Sequence, residues 1–97
     1  MPTYVTLVTW TDQGIRGVKD TVRRAQAFSE AAARMNCRVH EILWTMGSYD
    51  LVGIVEAPDD QAASRLMLSL GMQGNVRTLT MRAFRREEME EILRGLP

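Results

Sequence analysis

The sequence predicts an α+β fold with a four-stranded antiparallel sheet, two helices on one face of that sheet and a short C-terminal helix. Four strand-like segments and two amphipathic segments follow one another in the order βαββαβ. A short polar segment, Met46 to Asp50, separates the second strand from the third and indicates a hairpin. The 97 residues suffice for one hydrophobic core, so we expect one domain that spans residues 1–97.

The first strand and the first helix account for the N-terminal third of the chain. Thr3 to Trp10 is rich in β-branched and aromatic residues and almost free of charge, which is typical of an interior strand. From Val18 to Met35, apolar residues recur at steps of three and four, which predicts an amphipathic helix. The start of this helix stays open, because Asp12 and Asp20 are both suitable caps.

The remaining segments complete the order of elements. Cys37 to Met46 mixes charged and apolar residues, as an edge strand does. Leu51 to Val55 is continuously apolar and predicts a central strand. The second helix begins near Pro58, and the last strand runs from Val76 to Phe84 with polar side chains that suit the other edge. Arg85 to Arg94 predicts the short C-terminal helix.

This order is the split βαβ, or ferredoxin-like, arrangement. Right-handed crossovers are expected to place the first and third strands in the middle as parallel neighbours, with the second and fourth outside. Both long helices then cover one face of the sheet. The third strand is apolar on both faces, with Leu51 and Val55 on one and Val52 and Ile54 on the other. Because an exposed apolar face is unusual on a monomer, we expect a homodimer or higher homo-oligomer that covers the open sheet face.

The hairpin between the second and third strands has a predicted register. Glycine at the first central position favours a two-residue type II′ turn at Gly47-Ser48, because that position needs a positive φ. The register then pairs Met46 with Tyr49, Thr45 with Asp50, Trp44 with Leu51, Leu43 with Val52 and Ile42 with Gly53. One face carries His40, Ile42, Trp44, Met46, Tyr49, Leu51 and Val55. The opposite face, predicted to be the open one, carries Val39, Glu41, Leu43, Thr45, Asp50, Val52 and Ile54.

Tyr49 and Asp50 are the first candidates for a binding site, because a phenol and a carboxylate stand side by side in the sequence. Alternation along the strand sends them to opposite faces, so they do not form a simple catalytic pair. Two structural explanations stay open. Asp50 could accept hydrogen bonds at the turn beside Thr45. Tyr49 could pair with Trp44 across the hairpin.

His40, Glu41 and Gln13 are the other candidate ligand-binding residues. His40 is the single histidine and stands next to Glu41 on the predicted edge strand, where symmetry could bring two copies together. No second histidine or cysteine pair completes a metal site, so we expect neither a metal nor a cofactor. Gln13 follows the first strand, at the kind of loop that often lines a ligand crevice. Alternatively, this loop only shapes the entry to the first helix.

Composition bears on partners and location. The formal net charge is zero, which gives no electrostatic reason to expect nucleic acid or an anionic membrane as a partner. The apolar runs are far shorter than the ~20 residues that span a bilayer. The first residues lack the pattern of a secretory signal, so a cytoplasmic location is expected. Cys37 is predicted to be a small buried hydrophobic residue.

Three segments together resemble the GYD domain family, named for its glycine, tyrosine and aspartate. They are Trp10-Thr11-Asp12-Gln13-Gly14-Ile15, Thr45-Met46-Gly47-Ser48-Tyr49-Asp50, and Gly74-Asn75-Val76-Arg77-Thr78 followed by Arg82-Ala83-Phe84. The resemblance covers nearly the whole chain. It implies a dimeric α+β barrel assembly, in which two ferredoxin-like sheets pack face to face, but it implies no reaction. Related barrel folds include cofactor-free monooxygenases, isomerases, haem enzymes and effector-binding modules, so the fold does not decide the function.

Two functional hypotheses follow from the sequence. The favoured one is a non-enzymatic oligomeric module that binds a small molecule or a partner in the space between the sheets, because no catalytic motif is recognisable. The alternative is a cofactor-independent enzyme of the oxygenase or isomerase type. Tyr49, Asp50, His40 or Glu41 would then act as acid, base or anchor at the pocket wall.

Overall fold

The computed structural model describes residues 1–97 and has the ferredoxin-like α+β fold that the sequence predicts. Its elements are β1 (Thr3–Trp10), α1 (Asp12–Arg16), α2 (Thr21–Arg34), β2 (Arg38–Trp44), β3 (Leu51–Glu56), α3 (Asp60–Met72), β4 (Val76–Ala83) and α4 (Arg86–Arg94), with a 3₁₀ turn at Val18–Asp20. The strand order across the sheet is β2-β3-β1-β4. The two central strands and the two edge strands are therefore those predicted.

The first helical region is divided into two helices. The Thr11 hydroxyl caps α1 and accepts a hydrogen bond from the Gly14 backbone N–H at 3.0 Å. Gly17 ends α1, as a residue of low helix propensity readily does. The 3₁₀ turn follows, and α2 then begins at Thr21 without a side-chain cap from Asp20. The two candidate starts thus correspond to two separate helices, of which only the longer was predicted.

The predicted parallel pairing of β1 with β3 is wrong, because these neighbours are antiparallel. Tyr4 pairs with Val55 and Val8 pairs with Leu51. The crossover from β1 through α2 leads to β2, which runs in the same direction as β1. β3 returns from β2 through a hairpin and inserts between β2 and β1, so it must run against both.

The β2–β3 hairpin has the predicted register but not the predicted turn. Trp44 pairs with Leu51, and the next two predicted pairs also form. Gly47 has φ +104°, as expected for the glycine. However, the prediction of a two-residue turn is wrong, because the last strand pair is Trp44 with Leu51. The Thr45 N–H donates to the Asp50 carbonyl at 2.9 Å, but the Asp50 N–H donates to the Val8 carbonyl of β1 at 2.8 Å. Because β1 takes this donor, the hairpin opens into a longer loop.

A β-bulge in β2 corrects the predicted faces of two residues. The register shifts between Val39 and Glu41, so His40 is the extra residue. Val39 consequently packs against the buried core under the helices rather than on the open face. His40 contacts Glu56, which by alternation with Val55 points to the open face. Beyond the bulge, alternation proceeds as predicted.

The core lies between the sheet and α2 and α3 and consists of two groups. The larger contains Tyr4, Ala32, Cys37, Val55, Ala57, Ala62, Ala63, Leu66 and Met67. The smaller contains Val8, Leu51 and Val76. Cys37 is buried, as predicted, and burial raises the pKa of its thiol. Many members of the larger group are alanines, which let the helices approach the sheet closely but fill little volume.

None of the helices combines the length and the apolar character that crossing a bilayer requires.

Candidate functional site

Three loops meet at the end of β1 and form a feature that we call the motif corner, defined by residues 10–14, 47–50 and 73–75. The Thr11 N–H donates to the Asn75 carbonyl at 3.0 Å, and the Thr11 hydroxyl donates to the Gly74 carbonyl at 2.5 Å. The Trp10 N–H donates to the Asp50 carboxylate at 2.9 Å. Parts of all three segments that carry the sequence resemblance are thus joined by direct hydrogen bonds, whereas Arg82-Ala83-Phe84 lies at the other end of β4, beside the start of β1.

Gly14 and Gln13 hold the motif corner together. A Cβ atom added to Gly14 would lie 1.9 Å from the Asn75 carbonyl oxygen, so the close approach of the two loops requires glycine. The Gln13 side-chain amide donates to the Gln73 carbonyl and to the Asn75 side-chain oxygen, both at 3.0 Å. The Gln13 side chain therefore bonds to other residues of the same chain and fixes the loop that follows α3.

Asp50 and Tyr49 have different partners in the structure. The Asp50 carboxylate accepts a hydrogen bond from the Trp10 N–H of β1, and not from a group of the turn beside Thr45. It therefore joins two parts of the chain that are distant in sequence. The Thr45 hydroxyl instead donates to the Tyr49 carbonyl at 2.6 Å. The indole N–H of Trp44 donates to the Thr21 hydroxyl at 3.0 Å, which orients this ring toward α2. Tyr49 itself is half-buried in the loop.

His40 and Glu41 lie at the opposite end of the β2–β3 hairpin from Asp50. His40 Nε2 is 2.5 Å from Glu56 Oε1, and this hydrogen bond lowers the pKa of the Glu56 carboxyl. Glu41 is exposed on β2. The structure therefore brings Gln13 and Asp50 to the motif corner and leaves His40 and Glu41 apart from them.

A cavity of about 260 Å³ lies between α2 and the sheet. Its walls include Trp10, Phe28, Ile42, Leu51 and Leu70. Gln73 and Asn75, two polar residues of the motif corner, also line this cavity. The smaller core group of Val8, Leu51 and Val76 also lines the cavity, and none of the lining residues was a candidate from the sequence.

Arg24 gives this cavity a positive charge. Its Nη2 donates to the Gly14 carbonyl at 3.0 Å and to the Gly17 carbonyl at 2.7 Å, so the guanidinium is fixed against α1. Its Nε is buried and has no hydrogen-bond partner. Arg24 was not among the candidate residues from the sequence. Its position four residues before Phe28, at the border of the apolar stripe, is the signal that could have revealed it.

A wider, open groove of about 1030 Å³ runs between α3 and β4. At its base, the Tyr4 hydroxyl donates to Asp60 Oδ1 at 2.5 Å, and the Arg82 guanidinium lies 5.8 Å from the Tyr4 ring centroid. Leu68 and Met72 are exposed along its rim. Tyr4 and Asp60 are 56 residues apart, so no local pattern joins them.

Tyr4 is expected to ionise at unusually high pH. Burial, and next the hydrogen bond to Asp60, raises the pKa of Tyr4 from 10.0 to about 12. The folded state favours the neutral phenol, so this stabilisation is complete below the unfolded pKa of 10.0 and is lost as the pH rises through about 12.

The absorbance of tyrosinate checks this prediction in a Tyr49→Phe variant, where Tyr4 is the single remaining tyrosine. The folded variant should titrate with a midpoint near 12, whereas the same variant in concentrated urea should titrate near 10.0. A folded midpoint equal to that in urea would contradict the prediction.

The open sheet face carries apolar side chains from all four strands. By alternation and register, they are Val5, Leu7, Leu43, Val52, Ile54, Leu79 and Met81. Beyond the sheet, α4 buries no residue. Its first turn is fixed by Glu88, which accepts from the Arg85 N–H at 3.0 Å and pairs with Arg82 at 3.2 Å. Two apolar surfaces therefore face solvent in the single chain.

The fold and the motif corner define a ferredoxin-like α+β domain whose hallmark loops converge at one end of the sheet. The family model of the GYD domain matches residues 4–93, and the chain belongs to the GYD domain family. The resemblance stated from the sequence is thereby confirmed.

One curated relative and one solved structure that are similar to this chain both come from Thermus thermophilus. One is named glutamine synthetase and cystathionine beta-lyase binding protein. It is 37% identical over 84 residues, which cover 86% of this chain and 88% of that protein. The other is known from the crystal structure of TTHA0845. It is 30% identical with a TM-score of 0.55, and the match covers 88% of this chain and 95% of that one.

Proposed function

We propose that this protein is a non-enzymatic cytoplasmic module that forms a homodimer through its open sheet face and binds partner proteins. The observation that carries the proposal is the apolar open face. Leu43, Leu79 and Met81 on this face are each about half exposed in the single chain, with Leu79 at 47%. A continuous apolar surface of this kind marks an interaction site on a soluble protein.

A second copy is the occupant that best fits this face. The face is nearly free of charge in its middle and spans both central strands, so two copies related by a two-fold axis would bury the same residues on each. Four strands about 4.8 Å apart and about eight residues long form a face on the order of 500 Å². A typical stable interface buries about 800 Å² per partner. The sheet face therefore supplies most of such an interface but not all of it.

The helix α4 is suited to supply the rest. Its apolar side chains, Met89, Ile92, Leu93 and the following Leu96, are about half exposed or more. Glu87, Glu88, Glu90 and Glu91 make the remaining surface of the helix acidic. A helix with one apolar side and no buried residue needs a partner surface. In the proposed dimer, α4 packs against the second copy at the edge of the sheet interface.

The oligomeric state tests this part of the proposal. Light scattering at micromolar concentration should give twice the chain mass of 11.0 kDa. Leu79→Asp places a charge on the apolar face and should give the mass of one chain. The matched control is Leu68→Asp on α3, outside this face, which should remain dimeric. A wild-type mass of 11.0 kDa, or a dimeric Leu79→Asp variant, would overturn the proposed dimer.

Partner proteins are proposed to bind in the groove between α3 and β4, which faces away from the dimer interface. Met72 is 86% exposed and Leu68 is 69% exposed on its rim. Arg77 and Arg82 add positive charge. Asp60, the single acidic residue of the groove lining, is engaged by Tyr4. This chemistry fits an apolar segment with acidic side chains on a partner protein.

The name of the curated relative suggests which proteins to test. Immobilised dimer should bind glutamine synthetase or cystathionine beta-lyase from the organism that encodes this chain. Met72→Asp should weaken that binding at least tenfold, because it places a negative charge where an acidic segment docks. The control is Val22→Asp on α2, which changes another exposed apolar residue, 67% exposed, outside the groove lining and should bind normally. Binding of neither enzyme, or unchanged binding by Met72→Asp, would contradict the assignment.

The enzymatic alternative has less support. The four residues expected to act as acid, base or anchor are distributed over both ends of the hairpin, and Asp50 and His40 are already hydrogen-bonded to other groups of the chain.

A further inference from the structure

We infer that the cavity between α2 and the sheet is a binding site for a small monocarboxylate with a compact apolar or aromatic body, and that Arg24 holds the carboxylate. This site lies within each chain, between α2 and the sheet, and is partly open to solvent. It is thus distinct from both surfaces of the proposed function and does not depend on them.

The volume of the cavity is the first argument. Protein interiors contain few voids larger than a water molecule. A cavity of about 150 Å³ lined by apolar side chains binds benzene. The cavity here measures about 260 Å³, enough for one aromatic ring and a short carboxylate arm.

The residues that surround the cavity explain why it is not filled. On α2, the side chains of Ala25 and Ala31 face it, and both are small. On the sheet, Gly53 contributes no side chain, and a Cβ atom there would lie 3.0 Å from Thr6 Cγ2. Phe28 is the largest apolar α2 residue of the lining, and it also packs against the larger core group. Small residues at several separate positions of α2 and the sheet therefore leave this space open.

The charge of the lining is the second argument. Arg24 and Arg34 contribute to the lining, and no aspartate or glutamate does. Arg34 is exposed, whereas Arg24 is partly buried and its guanidinium is anchored through Nη2 alone. Its Nη1 makes no hydrogen bond within the chain, and a donor on a cation is costly to leave unpaired. An anionic ligand at Arg24 would provide the acceptor for Nη1.

The geometry at Arg24 and the apolar walls define the class of ligand. Two carbonyls already hold Nη2 of Arg24, so a carboxylate can accept from Nη1 while the guanidinium stays in place. One anchored, partly buried cation matches one negative charge better than a dianionic phosphate does. The apolar walls, which include Trp10 and Phe28, match an apolar or aromatic body. Together these features select an aromatic monocarboxylate.

Calorimetry with phenylacetate tests the inference, and phenylacetamide serves as the uncharged match of equal size. The protein should bind phenylacetate at least tenfold more tightly than the amide, and inorganic phosphate should not bind measurably. Chemical-shift changes caused by phenylacetate should centre on Phe28 and Leu70 inside the cavity. Absence of phenylacetate binding, or equal affinity for the acid and the amide, would overturn the inference.

Three variants locate the site. Arg24→Gln should abolish the preference for the acid over the amide, whereas Arg23→Gln should keep it, because Arg23 is exposed and pairs with Asp20. Since Arg24 also anchors α1, Ala31→Leu provides an independent change that fills the cavity and leaves the anchor intact. It should weaken both ligands at least tenfold while the protein stays folded by circular dichroism. Full acid preference in Arg24→Gln, or undiminished binding in Ala31→Leu, would place the ligand elsewhere.

Discussion

Gly14→Ala is expected to lower the free energy of unfolding by about 3 kcal/mol or more, the upper range for overpacked sites. The new Cβ atom would lie 1.9 Å from the Asn75 carbonyl oxygen and 2.9 Å from the Asn75 carbonyl carbon. Both are backbone atoms, so no side-chain rotation relieves the contact. The two loops must separate, which also breaks the hydrogen bond from Thr11 to Asn75. Chemical denaturation at a fixed protein concentration measures the effect, because self-association would otherwise shift the midpoint.

Gly17→Ala is the matched control for Gly14→Ala. Gly17 ends the same short helix, but the nearest atoms to an added Cβ are 3.9 Å away. Its φ of −99° is accessible to alanine. The free energy of unfolding should change by less than about 0.5 kcal/mol. Equal losses in the two variants would show that helix propensity, and not the approach of two loops, explains the glycine at position 14.

Leu66→Ala is expected to lower the free energy of unfolding by about 2 to 5 kcal/mol, as large-to-small changes in a closed core do. Leu66 is fully buried and lies between α3 and the central strands within the larger core group. Its neighbours in this group include Ala62 and Ala63, which are too small to move into the vacated space. A cavity should therefore persist, and the loss should lie toward the upper end of the range.

Leu68→Ala is the control for Leu66→Ala on the same helix. Leu68 is 69% exposed, so the same substitution removes little buried surface. We expect a change of less than about 0.5 kcal/mol, measured by the same denaturation experiment. Comparable losses at the two positions would mean that α3 does not present Leu66 to the sheet as described.

Strand order and most of the hairpin register could be predicted from the sequence, because alternation and apolar runs are local properties. The direction of β3 relative to β1 could also have been derived, since a strand that returns through a hairpin reverses. The bulge at His40 and the opened turn could not. Both depend on hydrogen bonds to a neighbouring strand. The Asp50 N–H donates to β1 instead of closing the turn, and His40 forms a hydrogen bond with Glu56 of β3.

The candidate site shows the same division between local and distant information. The motif segments could be recognised from residues close together in the sequence, and Gln13 and Asp50 do lie at the motif corner. Arg24 and the pair Tyr4–Asp60 were missed because their partners are supplied by other elements. Residue type alone predicts that an arginine lies on the exterior of a helix and that a tyrosine lies in a strand. Only the fold shows that Arg24 lines a cavity and that Tyr4 donates to the Asp60 carboxylate.

The motif corner has a consequence for the order in which the chain acquires structure. Its hydrogen bonds join residues that are 40 positions apart, between Trp10 and Asp50, and 63 apart, between Thr11 and Gly74. Contacts of such long sequence separation close large loops and form slowly. The corner is therefore complete only when the last strand has joined the sheet. A nascent chain that ends before β4 carries most of the family's hallmark residues without the arrangement that gives them a common role.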